Sequence, residues 1–419
     1  MKEDLSTKSA CVIDNGAFLE TAVMLSKAFG KVYYVTPWVN AFPRSNDNMI
    51  GRGIPGIKRI DSLFDVVDEV DLFVFPDVGD GPLQLHLESL GKRVWGSRMG
   101  EELEFRREKS KAFFQRIGLH IGDWQPVEGL DNLRTYLKSH PRQWVKIDRF
   151  RGDFETFYSP TYRQIETRID EIEQILGIRK HTTRFIVEKN IPDAVEIAFD
   201  GYTIDGQFPK HSVCGIEIKD AGYVGKFIPY TDVPEPLRDI NEKLAPTLRN
   251  YRYRNFFACE ARITEDHKAW VIDPCCRTSS PPGDLLLNMY TNLPEVFWHG
   301  AVGEMIEPEV AGKWCAELLV HFAGDGKAWR SVDFPEEIRE HIKLRASARV
   351  GGRYYMIPQV TGPQMVGAAC GIGNTMEEAI KQAKEYAEQV KGYLFANESH
   401  SLDQAAEELK KLDSLGLGI

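Results

Sequence analysis

Hydrophobic positions in the first hundred residues fall into short runs separated by stretches of helical period. Cys11-Val12-Ile13, Lys31 to Val35, Leu72-Phe73-Val74-Phe75 and Arg93-Val94-Trp95 read as strands, with helices predicted around 17–29 and 82–90. Such alternation indicates a parallel sheet covered by helices. The stretch 101–119 is predicted as one helix, with Phe105, Ala112, Phe113 and Ile117 facing inward and Gly118 as its stop. A strand at 143–147 precedes a polar loop opening at Asp148, and further strands follow at Arg184 to Lys189 and Val195 to Ile197. The C-terminal part has strands near 343–348, 353–357 and 366–371. A helix then opens at Thr375-Met376-Glu377-Glu378, where the Thr hydroxyl and Glu carboxylate suit a capping box. Residues 401–419 read as a short charged helix with a frayed, glycine-bearing end. There is no internal repeat and no low-complexity linker.

One stretch stands apart. Phe256 to Ile263 and Ala269 to Ile272 are apolar runs flanking Thr264-Glu265-Asp266-His267-Lys268, a hairpin pattern. A turn centred between Asp266 and His267 sets Glu260 opposite Asp273, and the strand period of two puts Cys275 and Arg277 on the same face. Opposed carboxylates repel, so a sheet does not choose them for stability; a bound divalent cation would reverse the sign. The bland alternative is a solvated face screened by water and Arg262. The hairpin alone does not separate the two.

Composition narrows the setting. With 419 residues, 42% of them hydrophobic, the chain can build two or three cored domains. The formal charge of −10 (52 basic against 62 acidic residues) comes without any long basic stretch, which argues against direct nucleic-acid binding. The N-terminus lacks a signal-peptide h-region and no run is long enough to span a membrane, so a cytoplasmic location is expected. Seven cysteines show neither disulfide-framework nor zinc-module spacing. The first turn, Asp14-Asn15-Gly16-Ala17, lacks the three glycines of a dinucleotide fingerprint.

Lys146 is the one charge in an otherwise apolar strand, and the loop after it carries Arg149, Arg151 and Gly152. A lysine so placed can neutralise phosphate oxygens beneath a closing loop; an edge-strand lysine that discourages aggregation is the plain alternative. Arg107 lies on an amphipathic helix, and Glu188 and Glu196 flank a strand exit with Ile191 between them. Carboxylates suit ribose hydroxyls, although singly each of these residues reads as a solvated side chain. Their order along the chain carries more information than any one of them.

That order resembles the ATP-grasp ligases. The resemblance implies an α/β fold with a Rossmann-like pre-ATP-grasp domain over 1–99, a two-lobed α+β ATP-grasp domain over 100–305 and a small C-terminal α+β domain over 306–419. It places Arg107, Lys111, Lys146 and Arg151 on ATP, with Glu188, Lys189 and Ile191 at the hinge that reads adenine and Glu196 on the ribose. Glu260 and Asp273 would hold Mg²⁺ or Mn²⁺, and Arg277 would steady the acyl phosphate and the transferred phosphoryl group. The implied activity is an ATP-dependent, ADP-forming carboxylate–amine ligase acting on small molecules.

Within that superfamily the chain is most similar to the phosphoribosylamine–glycine ligases of purine biosynthesis. Arg93-Val94-Trp95-Gly96, Ser110-Lys111-Ala112-Phe113 and Gly373 to Ala379 carry this likeness. Where that family has its glycine-rich substrate loop, this chain reads Asp220-Ala221-Gly222-Tyr223-Val224-Gly225-Lys226-Phe227, and its metal strand reads Asp273-Pro274-Cys275-Cys276-Arg277. Cysteine is a poor magnesium ligand. The departures raise two other expectations: a ligase with different substrates, in modified-nucleotide or natural-product synthesis, or an ATP-binding module without catalysis. Lys219, Tyr223 and Lys226 are the candidate substrate residues.

Overall fold

The computed structural model describes residues 3–37, 46–148, 156–192, 194–324, 328–358 and 365–419. It is a mixed α/β structure with one parallel sheet and several antiparallel ones. The parallel sheet comes first: β1 (Ser9–Ile13), α1 (Leu19–Leu25), β2 (Lys31–Val35), β3 (Ile57–Arg59), β4 (Leu72–Val74), α2 (Gly81–Ser89) and β5 (Arg93–Trp95). Its order is β3-β2-β1-β4-β5. Every residue of β1 is buried, as expected for a strand covered on both faces.

The stretch predicted as one helix is broken. α3 (Glu102–Phe105) and α4 (Arg107–Arg116) meet at Arg106, whose φ −103 and ψ 61 are not helical. The inward face of α4 is also not the apolar one expected: Arg107, Ser110, Lys111 and Phe114 are buried while Ala112 is exposed. Two cations face inward because carboxylates await them there.

A small lobe follows, from β6 (Trp124–Glu128), α5 (Leu130–Ser139), β7 (Gln143–Ile147), β8 (Thr156–Ser159), α6 (Tyr162–Leu176) and β9 (Arg184–Lys189). The sheet order is β6-β9-β7-β8. Ile165, Ile169, Ile172 and Leu176 of α6 recur at helical spacing and pack on Val145 and Ile147 in a core separate from the rest of the protein.

The remaining strands form a nine-stranded sheet and a three-stranded one. They are β10 (Ala194–Ile204), β11 (His211–Ile218), β12 (Gly222–Pro229), then after α7 (Glu235–Asn250) β13 (Arg254–Thr264) and β14 (Ala269–Cys275). After α8 (Gly283–Met289) and α9 (Leu293–Gly300) come β15 (Trp314–Phe322), β16 (Arg330–Val332), β17 (Ile342–Leu344), β18 (Ser347–Val350), β19 (Arg353–Met356) and β20 (Met365–Gly373). β15 pairs with β12, so the sheet runs on through the boundary expected at 305; β16, β18 and β19 make a separate three-stranded sheet. α10 (Met376–Gln389) opens with the capping box expected at Thr375 and Glu378. β21 (Phe395–Ala396) pairs β15, and α11 (His400–Ser414) closes the chain.

The C-terminal part also returns to the first turn. Ala346 donates its N–H to Gly16 O at 2.7 Å. Gly16 has φ 109, and a Cβ there would lie 3.2 Å from Ala346, so any other residue would be strained and crowded. Among the described residues no helix is long and apolar enough to cross a membrane.

Candidate active site

The small lobe faces the large sheet across a narrow cleft of about 90 Å³. On β7, Val145 and Ile147 point into the lobe's core, so Trp144 and Lys146 point the other way, into the cleft. Opposite stands the β13–β14 hairpin, in which Glu260 pairs with Asp273 as expected. The route to that pairing differs from the expected one. Ile263 pairs with Ala269 and Ala261 with Val271, which centres the turn on Asp266; an irregularity between Glu260 and Ala261 then restores the Glu260–Asp273 match. One extra residue in a bulge shifts register by one, and here it brings both carboxylates to one face.

Three cations from two segments, β7 and α4, converge on this face. Lys146 Nζ lies 2.7 Å from Asp273 Oδ2 and 3.2 Å from Glu188 Oε1, while Lys111 Nζ reaches the same Glu188 oxygen at 3.0 Å. Arg107 stands 3.8 Å from Asp273 and donates to Ile147 O at 3.0 Å. Burial alone would raise the Asp273 carboxyl, but Lys146, Arg107 and Lys111 hold it well below the usual range. The two lysines respond differently. Burial dominates at Lys111 and lowers it, whereas Asp273 and Glu188 overcome burial at Lys146 and raise it.

Glu260 responds the other way. Burial, then repulsion from Glu196 and Asp273, outweighs the pull of Lys219 and Lys146 and pushes its carboxyl up to about 8. Glu217 of β11 joins it, raised by burial and by Glu260, and Lys219 is held protonated against its own burial by Glu260, Asp220 and Glu217. Among the described residues no group of three or more His, Cys, Asp or Glu is placed to hold a metal unaided. Glu260 and Asp273 are nevertheless hard oxygen donors on one wall, the set a magnesium ion takes when phosphates and water complete its shell. The Cys275 sulfur is turned back onto Arg277 O at 3.7 Å, so it does not join that donor set.

Most residues singled out in the sequence gather here. Lys146, Glu188, Lys189, Ile191, Glu196, Lys219, Glu260 and Asp273 line the cleft, with Arg107 and Lys111 bound to its carboxylates. Others do not. Arg277 lies beyond the end of β14, not on the expected strand face, and is held by Glu104 at 3.1 Å and Asp77 at 3.7 Å. Tyr223 is fully buried and donates to Asp200 Oδ2 at 2.7 Å, so it offers no open ring. Lys226 lies three residues from Tyr223 on the opposite sheet face, donates to Ile419 O at 2.7 Å and rests over the Trp314 ring. Arg151 and its neighbours 149–155 lie outside the described residues.

Trp144, Thr156, Glu217, Arg262 and Ile272 also line the cleft; of these the sequence pointed only to Arg262, as a screen for the carboxylate pair. The period of two, applied from Lys146, Lys219 and Glu260, would have found Trp144, Glu217 and Arg262.

No family model matches the chain, and no curated protein matches it. Solved structures do. Phosphoribosylamine–glycine ligase from Thermotoga maritima is 18% identical over 93% of this chain and 98% of its own, with a TM-score of 0.65. The biotin carboxylase domain of 2-oxoglutarate carboxylase from Hydrogenobacter thermophilus, solved with MgADP and bicarbonate, is 11% identical over 97% and 98%, with a TM-score of 0.66. The chain has the ATP-grasp fold. N5-carboxyaminoimidazole synthetase from Staphylococcus aureus, solved with ADP, adds 12% identity over 92% and 99% at a TM-score of 0.58. At these identities the likeness speaks for the ATP-grasp fold, and the cleft of this chain must speak for its chemistry.

Proposed function

We propose that the protein is an ATP-dependent carboxylate–amine ligase. The observation that carries this reading is the cleft's charge order: Lys146, Lys111 and Arg107 gathered about Asp273 and Glu188, with Glu260 opposite Asp273 and facing Lys219. Lys146 in a narrow cleft, with Lys111 and Arg107 behind its carboxylates, suits a polyphosphate, because neutralised phosphates and excluded water are what phosphoryl transfer needs from a protein. Glu260 and Asp273 would hold Mg²⁺, which when bound would supply positive charge to the phosphates.

In the reaction, a substrate carboxylate oxygen attacks the γ-phosphorus, the bond to the β-phosphate oxygen breaks and ADP leaves. An amine then attacks the acyl phosphate carbon, phosphate departs with the C–O electron pair and the nitrogen loses a proton. Lys146 must leave Asp273 for the phosphates, and Arg107 remains to hold Asp273 in place. Arg277, held at the far side by Glu104 and Asp77, stands toward the parallel sheet, where the acid and amine would enter. In place of the glycine-rich substrate loop of the phosphoribosylamine–glycine ligases this chain has Asp220 to Phe227, most of it in strand β12, which supports substrates other than phosphoribosylamine and glycine.

The experiment is a calorimetric titration with MgATP followed by an ADP-release assay, first with phosphoribosylamine and glycine, then with other carboxylates and amines. ADP release dependent on both co-substrates supports the ligase. Tight nucleotide binding without release under any pair favours a second reading, a nucleotide-binding module without turnover, which the Lys146–Asp273 ion pair and the inward-turned Cys275 support. No nucleotide binding would overturn both.

A further inference from the structure

The cleft is ordered along its length. Trp144 stands two residues before Lys146 on β7, and Arg262 two residues beyond Glu260 on β13, so each shares its neighbour's face. Lys146 therefore faces Asp273 and Glu260 at one end, and Trp144 and Arg262 line the other, beside Ile191. The two side chains come from different lobes yet share one acceptor. Trp144 Nε1 donates to Asn190 Oδ1 at 3.0 Å, and Arg262 Nη1 approaches the same oxygen at 3.4 Å.

Arg262 is loosely held. Its remaining contacts, Ala194 O at 3.5 Å and Glu196 Oε2 at 3.7 Å, are as long, and its buried Nε has no hydrogen-bond partner. Contacts of that length lie at or beyond the limit of a good hydrogen bond, so little is lost when the guanidinium turns. Trp144, by contrast, is fixed by its shorter bond to Asn190.

We propose that Trp144 and Arg262 form a clamp that takes the nucleobase between an indole face and a guanidinium face, which makes Arg262 a specificity-determining residue for the base. The inference rests on the nucleotide reading of the cleft and goes beyond it. A planar guanidinium over an aromatic face is attracted by the ring quadrupole, more strongly where water is excluded. The indole supplies the opposite wall with large, rigid contact area. A purine fills such a slot better than a pyrimidine because its π surface is larger. As Arg262 turns to the base it leaves Glu196, whose carboxylate is then available to sugar hydroxyls.

The test compares two probes on the full chain in the presence of Mg²⁺: ADP, which carries a base, and inorganic tripolyphosphate, which does not. Arg262→Leu should weaken ADP by about tenfold, the scale of a desolvated cation–π contact, and leave tripolyphosphate affinity unchanged. Arg262→Lys, which keeps the charge without the plane, should behave like the leucine variant. Trp144→Phe should keep most of the ADP affinity while abolishing the ADP-induced change in tryptophan fluorescence, and Trp144→Leu should lose both. Equal loss of ADP and tripolyphosphate in Arg262→Leu, or unchanged ADP affinity, overturns the clamp and leaves the nucleotide reading intact. If the unmodified protein binds neither probe, the nucleotide reading fails and the clamp fails with it.

Discussion

In the cleft, Lys146, Lys111 and Arg107 meet Glu188 and Asp273, and the partners belong to separate segments on both sides of an opening. Around helix α8 a second set of buried charges is satisfied differently. Arg345 holds Asp284 through two nitrogens at 2.9 and 3.1 Å, and Arg339 holds Glu20 at 2.8 Å. Backbone N–H groups complete that set, with Leu285 donating to Glu317 at 2.9 Å and Leu344 to Glu20 at 3.2 Å. The cleft carboxylates Glu188, Glu260 and Asp273 show no such backbone donors among the described residues. Charges that the backbone also binds are fixed in place, whereas charges bound only to movable side chains can exchange their partners for a ligand. Burial is common to both sets, so burial by itself does not mark a site.

The largest effect should come from breaking the fixed set. Arg345→Ala leaves Asp284, 1% exposed, as an uncompensated buried charge; removing one partner of such a pair costs about 3–5 kcal/mol, read as a drop in the urea midpoint. A change under about 1 kcal/mol would mean that the α8 cluster is no more fixed than the cleft.

Burial without an ion pair is tested at Asp200, whose carboxyl burial raises from 3.8 to about 7 despite the Tyr223 hydroxyl bond. A raised folded value means its favourable contribution is complete below pH 3.8 and is lost as the pH climbs toward 7. Asp200→Asn should therefore flatten the decline in stability across that window, gaining on the order of 1–3 kcal/mol at neutral pH relative to the parent. Parallel stability–pH curves for the two proteins would remove Asp200 as the titrating group.

The movable set should show the reverse of Arg345→Ala. Lys146→Ala leaves Asp273 with Arg107 and Glu188 with Lys111, so the fold should lose only about 1 kcal/mol. Its ADP affinity should fall by about tenfold or more, in line with loss of a charge-assisted phosphate contact. A large stability loss with intact ADP binding would invert the comparison. The smallest effect belongs at the surface: Lys384→Ala removes a 2.7 Å pair with Asp403, itself 65% exposed, and should change stability by less than about 0.5 kcal/mol, disappearing in high salt.

The sequence was most legible where one strand or helix carries the signal. The alternation before residue 99, the Lys146 strand, the capping box at Thr375 and the Glu260–Asp273 hairpin all follow local periodicity, and the structure has each of them. It was least legible where function needs two elements. Arg107 read singly as a solvated residue of an amphipathic helix and proved, with Lys111, to be on its buried side, because their partners lie in β14 and β9. Tyr223 and Lys226 had the chemistry of a pocket wall, but strand pairing sends one ring into the core beside Asp200 and the other amine to the far face at Ile419.

The chain alone determined which side chains share a strand face, since a period of two is fixed by backbone geometry, and which segments would be buried, since apolar spacing sets that. Only the folded structure decided that the turn centres on Asp266 and is corrected by a bulge, that Trp144 and Arg262 share Asn190, and that Arg277 turns to Glu104. The last two depend on how segments distant in sequence pack, and neither local propensity nor spacing encodes the partner that a side chain will meet across a cleft.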